Sequence, residues 1–170
     1  MPKLPELSEA FVLRDITEAD REFLLALFRS TREHLAYLPL AAAQLDTLYE
    51  QQFEFQQHSY TQQFPKAWNW LVEFDREPVG KLVVDRSGDW LHLVDISLIP
   101  PARGRGLGQQ LLKALQAWAE LLSCGISLQV DKQNSGATKL YLGLGFYLVE
   151  EDEIRERLCW QTAGLQKRET

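Results

Sequence analysis

The residues with the most chemical promise are crowded into one short stretch. Residues 100–112 read PPARGRGLGQQLL, with glycines at 104, 106 and 108, arginines at 103 and 105, and then an abrupt apolar turn. Glycine lets a chain reverse tightly with no Cβ in the way, and N–H groups gathered by such a turn form a concavity for anions. If a helix follows, its first turn adds about four N–H groups without internal partners and roughly half a positive charge. Arg103 and Arg105 add full charges. The chemistry on offer is a phosphate grip made by the amides from Arg103 through Gly104, Arg105, Gly106 and Leu107 to Gly108; the plain alternative is a glycine-rich strand-to-helix turn.

Spacing separates the phosphate loops that this stretch resembles. No GxxxxGK[ST] occurs, which excludes a Walker loop. The dinucleotide pattern GxGxxG starts at Gly104 and Gly106 but meets Gln109 where its third small residue belongs. Asp131 imitates the ribose-binding acid of that fold, yet the chain left after it is too short for the second half of a doubly wound sheet.

The elements that must hold the loop follow from hydrophobic period. "AFVLRDI" reads as a strand, and Thr17 with Asp20 three residues on opens a helix whose Phe23, Leu24, Leu27 and Phe28 share a face. "STREHLAYLPL" interrupts it. A longer, glutamine-rich helix is predicted from Ala41 to Phe64, stopped by Pro65. "AWNWLVEF", "VGKLVVD" and "WLHLVDISLI" alternate apolar and polar residues and are separated by the turn clusters DREP and DRSGD, the pattern of an antiparallel meander. After the glycine loop, Leu107, Leu111, Leu115, Trp118 and Leu122 fall three or four apart, so a helix is expected to run to about Gly125. "ISLQVD" is again a strand, which makes strand, helix and strand a right-handed crossover between parallel neighbours. Asn134 or Ser135 caps a last helix ended by Gly145, and "FYLVEEDE" and "RERLCWQ" close the sheet. The expected fold is α/β with a mixed sheet in a single domain over residues 1–170.

Composition sets outer limits. With 170 residues, 45% hydrophobic and 25% charged, the chain is long enough for a core without staples. A formal net charge of −6 argues against nucleic acid as partner, so any anion must be held locally. No apolar run reaches the ~18 residues of a membrane span. Cys124 and Cys159 show no CxxC spacing and no signal sequence precedes them, so free thiols in a cytoplasmic protein are expected. His34, His58 and His92 have no ligand spacing, and no metal is expected.

Two segments, LHLVDISLIPPARGRGLGQQLLKAL and SLQVDKQNSGATKLYLGLGF, together resemble the acetyl-CoA-binding core of the GNAT N-acetyltransferase superfamily. The family loop [RQ]-x-x-G-x-[GA] falls on Arg103, Gly106 and Gly108, and its second signature on Asn134, Tyr141 and Gly145–Phe146. The resemblance spans roughly residues 66–150, with an echo in LRDITEADREFL. It implies a mainly antiparallel sheet of about seven strands flanked by helices, with two central parallel strands, "DISLI" and "SLQVD", splayed apart. The pantetheine arm of acetyl-CoA, a cosubstrate, would lie in that gap against the backbone of Leu98 and Ile99, with its pyrophosphate on the 103–108 loop. Asn134 would hold the arm from the other side, cap its helix, or do both.

The reaction that the resemblance implies is acetyl transfer to a primary amine by direct attack, with no covalent enzyme intermediate. An amine with a pKa near 10.4 is neutral in only about one molecule in 2,500 at pH 7, a handicap of ~4.6 kcal/mol, so a base must take its proton. Asp95, a carboxylate within an apolar strand, is the first candidate, with a structural role as the alternative. Relatives that carry a glutamate five residues before the Asn have Gln129 here, which cannot serve; Glu73 is the fallback. Tyr141 is placed to protonate the departing thiolate, or else packs beneath its helix. The acceptor pocket is expected from residues 30–64 and the meander, where Glu33, Glu50, Glu54, Trp68 and Trp70 suit a cationic amine or simply form a solvated face. Small amine, peptide N-terminus and lysine all stay open, and a homodimer is compatible with the sequence. The competing function is a non-catalytic acyl-CoA-binding or regulatory module, with a dinucleotide oxidoreductase a distant third.

Overall fold

The computed structural model describes residues 2–166. Seven strands form one sheet: β1 (Phe11–Asp15), β2 (Trp68–Phe74), β3 (Glu77–Ser87), β4 (Trp90–Leu98), β5 (Gly125–Asp131), β6 (Tyr147–Glu151) and β7 (Arg155–Trp160). Their order is β1-β2-β3-β4-β5-β7-β6, and every neighbouring pair is antiparallel except β4 with β5. Among the described residues four helices of nine residues or more accompany it, α1 (Arg21–Ser30), α2 (Ala42–Gln63), α3 (Leu107–Leu121) and α4 (Ser135–Gly143), and a short one, α5, covers Ala163–Gln166. The mixed, mainly antiparallel sheet inferred from the sequence is therefore the sheet observed. Among the described residues no helix is long and apolar enough to cross a membrane.

Two cores lie on the two faces of the sheet because alternate strand residues point opposite ways. Trp70 and Val72 face α3, while Leu71 between them joins Leu24, Leu27, Phe28, Tyr49 and Phe53 under α1 and α2. On the first face Trp118 of α3 meets Trp68 edge-on at 5.0 Å. Leu107, Leu111, Leu112 and Leu115 are all buried, each worth about 1.5–3 kcal/mol. That burial fixes α3, and with it the loop at its start.

The entry to α1 is held by charge. Asp20 Oδ2 accepts from the Thr17 backbone N–H at 2.9 Å, and both carboxylate oxygens accept from the Arg14 guanidinium at 2.8 and 2.7 Å. This bidentate bond holds the Asp20 carboxyl at about 2, below its ordinary 3.8.

Two irregularities shape the centre of the sheet. Gly80 of β3 passes so close to β4 that a Cβ there would lie 2.2 Å from the Ser97 carbonyl oxygen. In β4, Asp95 pairs with Val83 and Leu93 with Val84, which leaves Val94 as an extra residue, a β-bulge. Bulges bend a strand and re-aim its side chains. The parallel ladder with β5 ends beside it: Trp90–Leu93 pair with Gly125–Leu128, and beyond them β4 and β5 run on unpaired with each other.

Candidate active site

The separation of β4 and β5 opens a cavity of about 580 Å³, lined on the strand side by Leu93–Leu98 and Leu128–Asp131 and on the helix side by Leu112, Ala137 and Tyr141. At its lip stand Arg103, Gly108 and Asn134. A second cavity of about 570 Å³ lies under α1 and α2 and shares Thr31, Asp95, Ile96, Ser97, Asp131 and Asn134 with the first. Asp95 stands where the two meet.

The glycine loop has the geometry that its sequence suggests. Gly104 and Gly106 adopt φ of +71° and +77°, which L side chains rarely adopt, and both face open space. Gly106 is the N-cap of α3 and no side chain caps the helix. The first bond of the helix runs from the Gln110 N–H to the Gly106 carbonyl. The N–H groups of Leu107, Gly108 and Gln109 find no acceptor among the described residues, so the helix presents free donors and the positive end of its dipole. A diphosphate fits this cradle on geometry and on charge.

The arginines behave differently from each other. Arg103 folds back, its Nε donating to the Leu98 carbonyl at 2.9 Å and its Nη2 to Ser30 Oγ at 3.1 Å. It ties the loop to the end of α1. Arg105 lays its guanidinium over the Phe74 ring at 5.5 Å. Leu107 is a core residue at 3% exposure, so it contributes backbone only. The Ile99 N–H donates to the Val79 carbonyl, and its carbonyl accepts from the Ala102 N–H. Asn134 Oδ1 accepts from the Ala137 N–H at 3.2 Å, a helix N-cap, and the residue also lines the gap. Both roles assigned to it from sequence are thus open to one side chain.

Asp95 and Tyr141 come together at the gap. Burial pushes the Asp95 carboxyl up, against the pull of Lys81 and Arg32, whose positive charges favour the anion. Lys81 Nζ lies 3.8 Å from Asp95 Oδ2, and burial drives its own pKa down. Tyr141 is buried and its ring packs 5.5 Å from that of Phe146. Burial, reinforced by the charge of Asp95, pushes its hydroxyl up to about 12. The group therefore keeps its proton at neutral pH, as a proton donor must.

Sequence reasoning missed Lys81, whose cation sits 5.4 Å from the ring centroid of Tyr60. Its signal was present: a lysine inside the apolar run VGKLVV, where the strand period alone does not tell a buried amine from one that reaches solvent. Arg32 was missed too, because it lies in the turn between helices. Other candidates lie elsewhere. Glu73 accepts from Arg14 Nε at 3.2 Å and lines neither cavity. Glu54 pairs with Arg21, while Glu33 and Glu50 are exposed; none of the three lines the second cavity. Trp68 and Trp70 belong to the α3 face. His92 bonds Ser127 Oγ at 3.0 Å and stacks on Phe64.

Comparison with known proteins agrees with this geometry. The profile of the Acetyltransferase (GNAT) family matches residues 33–146. The peptidyl-lysine N-acetyltransferase YjaB of Salmonella typhimurium is 30% identical over 91 residues, 53% of this chain and 57% of that protein. The match thus covers little more than half of that relative's length. The PaiA N-acetyltransferase of Thermoplasma acidophilum, solved in complex with coenzyme A, superposes with a TM-score of 0.68 at 15% identity, covering 89% of this chain and 99% of that one. An acetyltransferase of Thermus thermophilus superposes at 0.64 with 20% identity, covering 90% and 97%. The chain belongs to the acetyltransferase (GNAT) family.

Proposed function

We propose that this protein transfers an acetyl group from acetyl-CoA to a primary amine by direct attack. The observation that carries the reading is the parting of β4 from β5 after four residue pairs, with the uncapped start of α3 at one end of the gap and Asp95 and Tyr141 within it. Bound there, acetyl-CoA supplies an activated acyl thioester. Its pantetheine arm is flanked by the backbone of Leu98 at the end of β4, in the manner of an added strand, and by Asn134 from the other side, while Ile99, whose N–H and carbonyl are taken by Val79 and Ala102, only holds that strand end in place. The backbone amides of the loop, Arg103, Gly104, Arg105, Gly106, Leu107 and Gly108, take the pyrophosphate.

Asp95 takes the proton of the acceptor ammonium, its raised pKa making it a stronger base than an ordinary carboxylate. A β4 N–H near Leu98 bonds the thioester oxygen as charge develops on it. Tyr141 protonates the departing thiolate, whose pKa near 8.5 makes that demand small. Support for this assignment is the placement of both groups on the gap.

The test is thiol release from acetyl-CoA across a panel of amines, peptide N-termini and lysine peptides, the last because one relative is a peptidyl-lysine N-acetyltransferase. Turnover with at least one amine is expected. Coenzyme A binding with no turnover of any acceptor, and no effect of Tyr141→Phe, would favour a non-catalytic acyl-CoA-binding module instead.

A further inference from the structure

The second cavity sets two cations, Arg32 and Lys81, against two acids, Asp95 and Asp131, yet among the described residues Arg32 is left without a carboxylate partner of its own. Arg32 lines it, half-buried, with its guanidinium 4.8 Å from the centroid of the Phe28 ring. Lys81 Nζ is buried in the same cavity, its carboxylate partner Asp95 at 3.8 Å, beyond hydrogen-bond distance. His34 lines it as well. The acids facing them are Asp95 and Asp131, and Asp131 Oδ1 already accepts from the Gln133 N–H at 2.9 Å.

A polyamine or a lysine side chain entering here supplies no partner for the Arg32 guanidinium. An amine that carries its own carboxylate meets the opposite situation. We infer that the acceptor is an α-amino acid, its amine directed to Asp95 at the junction of the cavities and its carboxylate to Arg32 and Lys81. The inference rests on the acetyl-transfer reading above. Arginine over an aromatic face presents a flat fork that matches a carboxylate. As the acceptor carboxylate engages Lys81, Asp95 is freed from its cation to receive the ammonium proton. The nitrogen lone pair then forms the amide bond as the carbon–sulfur bond breaks, the thiolate takes its proton from Tyr141, and the second proton released by the nitrogen restores the Tyr141 hydroxyl. Leu24, Phe28 and Phe53 on the α1–α2 side favour an apolar side chain on that amino acid.

The experiment uses the full chain with acetyl-CoA and compares L-leucine, L-methionine and L-phenylalanine with their carboxamides. Isoamylamine, phenethylamine, spermidine and Nα-acetyl-lysine amide serve as amines without a neighbouring carboxylate. The free acids are expected to exceed their amides in kcat/KM by about 10- to 100-fold, the worth of a charge-assisted hydrogen bond. Arg32→Gln should lower kcat/KM for the acid by a similar factor, mainly through KM, lower it much less for the amide, which loses only the charge that favours the Asp95 anion, and be partly rescued by Arg32→Lys. Equal or better turnover of the amides, spermidine or the lysine compound, or an unchanged KM in Arg32→Gln, overturns the inference and leaves acetyl transfer standing. Calorimetric titration with coenzyme A separates the two levels: absence of binding to the wild type overturns the functional reading itself, and binding without turnover of any amine counts against both.

Discussion

Replacing Tyr141 by Phe removes one oxygen atom and tests the proton-donor assignment cleanly. The ring is 7% exposed and packed against Phe146, so Phe keeps the packing, and among the described residues the hydroxyl has no hydrogen-bond partner whose loss would cost stability. The melting temperature should therefore stay within about 2 °C, since a change below ~0.5 kcal/mol moves a chain of this size by no more than that. Coenzyme A affinity should also hold. The turnover number should fall by about 10²- to 10⁴-fold, the usual worth of a positioned general acid. A pH profile adds a mark that mere repacking would not leave. Above about pH 8.5 the thiolate is stable without a proton, so the deficit of Tyr141→Phe should narrow from pH 7 to pH 9.5. The assay is stopped-flow or coupled thiol detection at saturating acetyl-CoA. A turnover number within threefold of wild type across that range would refute the role, and so would a constant deficit.

Other expectations follow from the same geometry. Lys81→Met removes the cation nearest the Asp95 carboxylate; Asp95 should then hold its proton to higher pH, and the acid limb of kcat/KM should shift upward, which a pH–rate series detects. Gly80→Ala places a Cβ against the Ser97 carbonyl and should cost about 1–3 kcal/mol in urea unfolding, the range for overpacking. Asp20→Asn loses the Arg14 pair and should cost about 1 kcal/mol at pH 7, a figure reduced for solvent screening because Arg14 is 39% exposed. The depressed carboxyl at about 2 contributes stability above its unfolded value of 3.8 and loses it as pH falls through 2. The wild-type advantage over Asp20→Asn should accordingly vanish between about pH 4 and pH 2 in thermal melts.

The elements were legible because their hydrophobic periods are clean. The 41–64 helix appears as Ala42–Gln63, the three meander strands fall on their alternating runs, and the helix after the glycine loop spans Leu107–Leu121. The parallel pair followed from strand, helix and strand in order. What sequence could not show was which way individual polar residues turn. Lys81 reads as a strand residue able to reach solvent, and only the packing of Tyr60 and Asp95 around it shows a buried amine. Glu50 and Glu54 are close to the pocket in sequence but fall outside its lining, because the buried stripe of α2 is taken by Tyr49 and Phe53, and Glu33 is exposed in the turn that precedes that helix. The bulge at Val94 leaves no mark in composition, since it depends on the register that β3 imposes on β4. Arg103 looked like a phosphate ligand by charge, yet its side chain is committed to Leu98 and Ser30.

The short parallel ladder between β4 and β5 leaves two strand edges that a bound ligand would stiffen. A molecule that bonds along both edges would act as a temporary eighth strand, and its binding free energy would add to the resistance of the sheet to opening, by about 2.7 kcal/mol at a hundredfold excess over Kd. Amides of Asp95–Leu98 and Gln129–Asp131 should then exchange with deuterium more slowly as the thioester pool rises, making the durability of the enzyme a gauge of its own fuel.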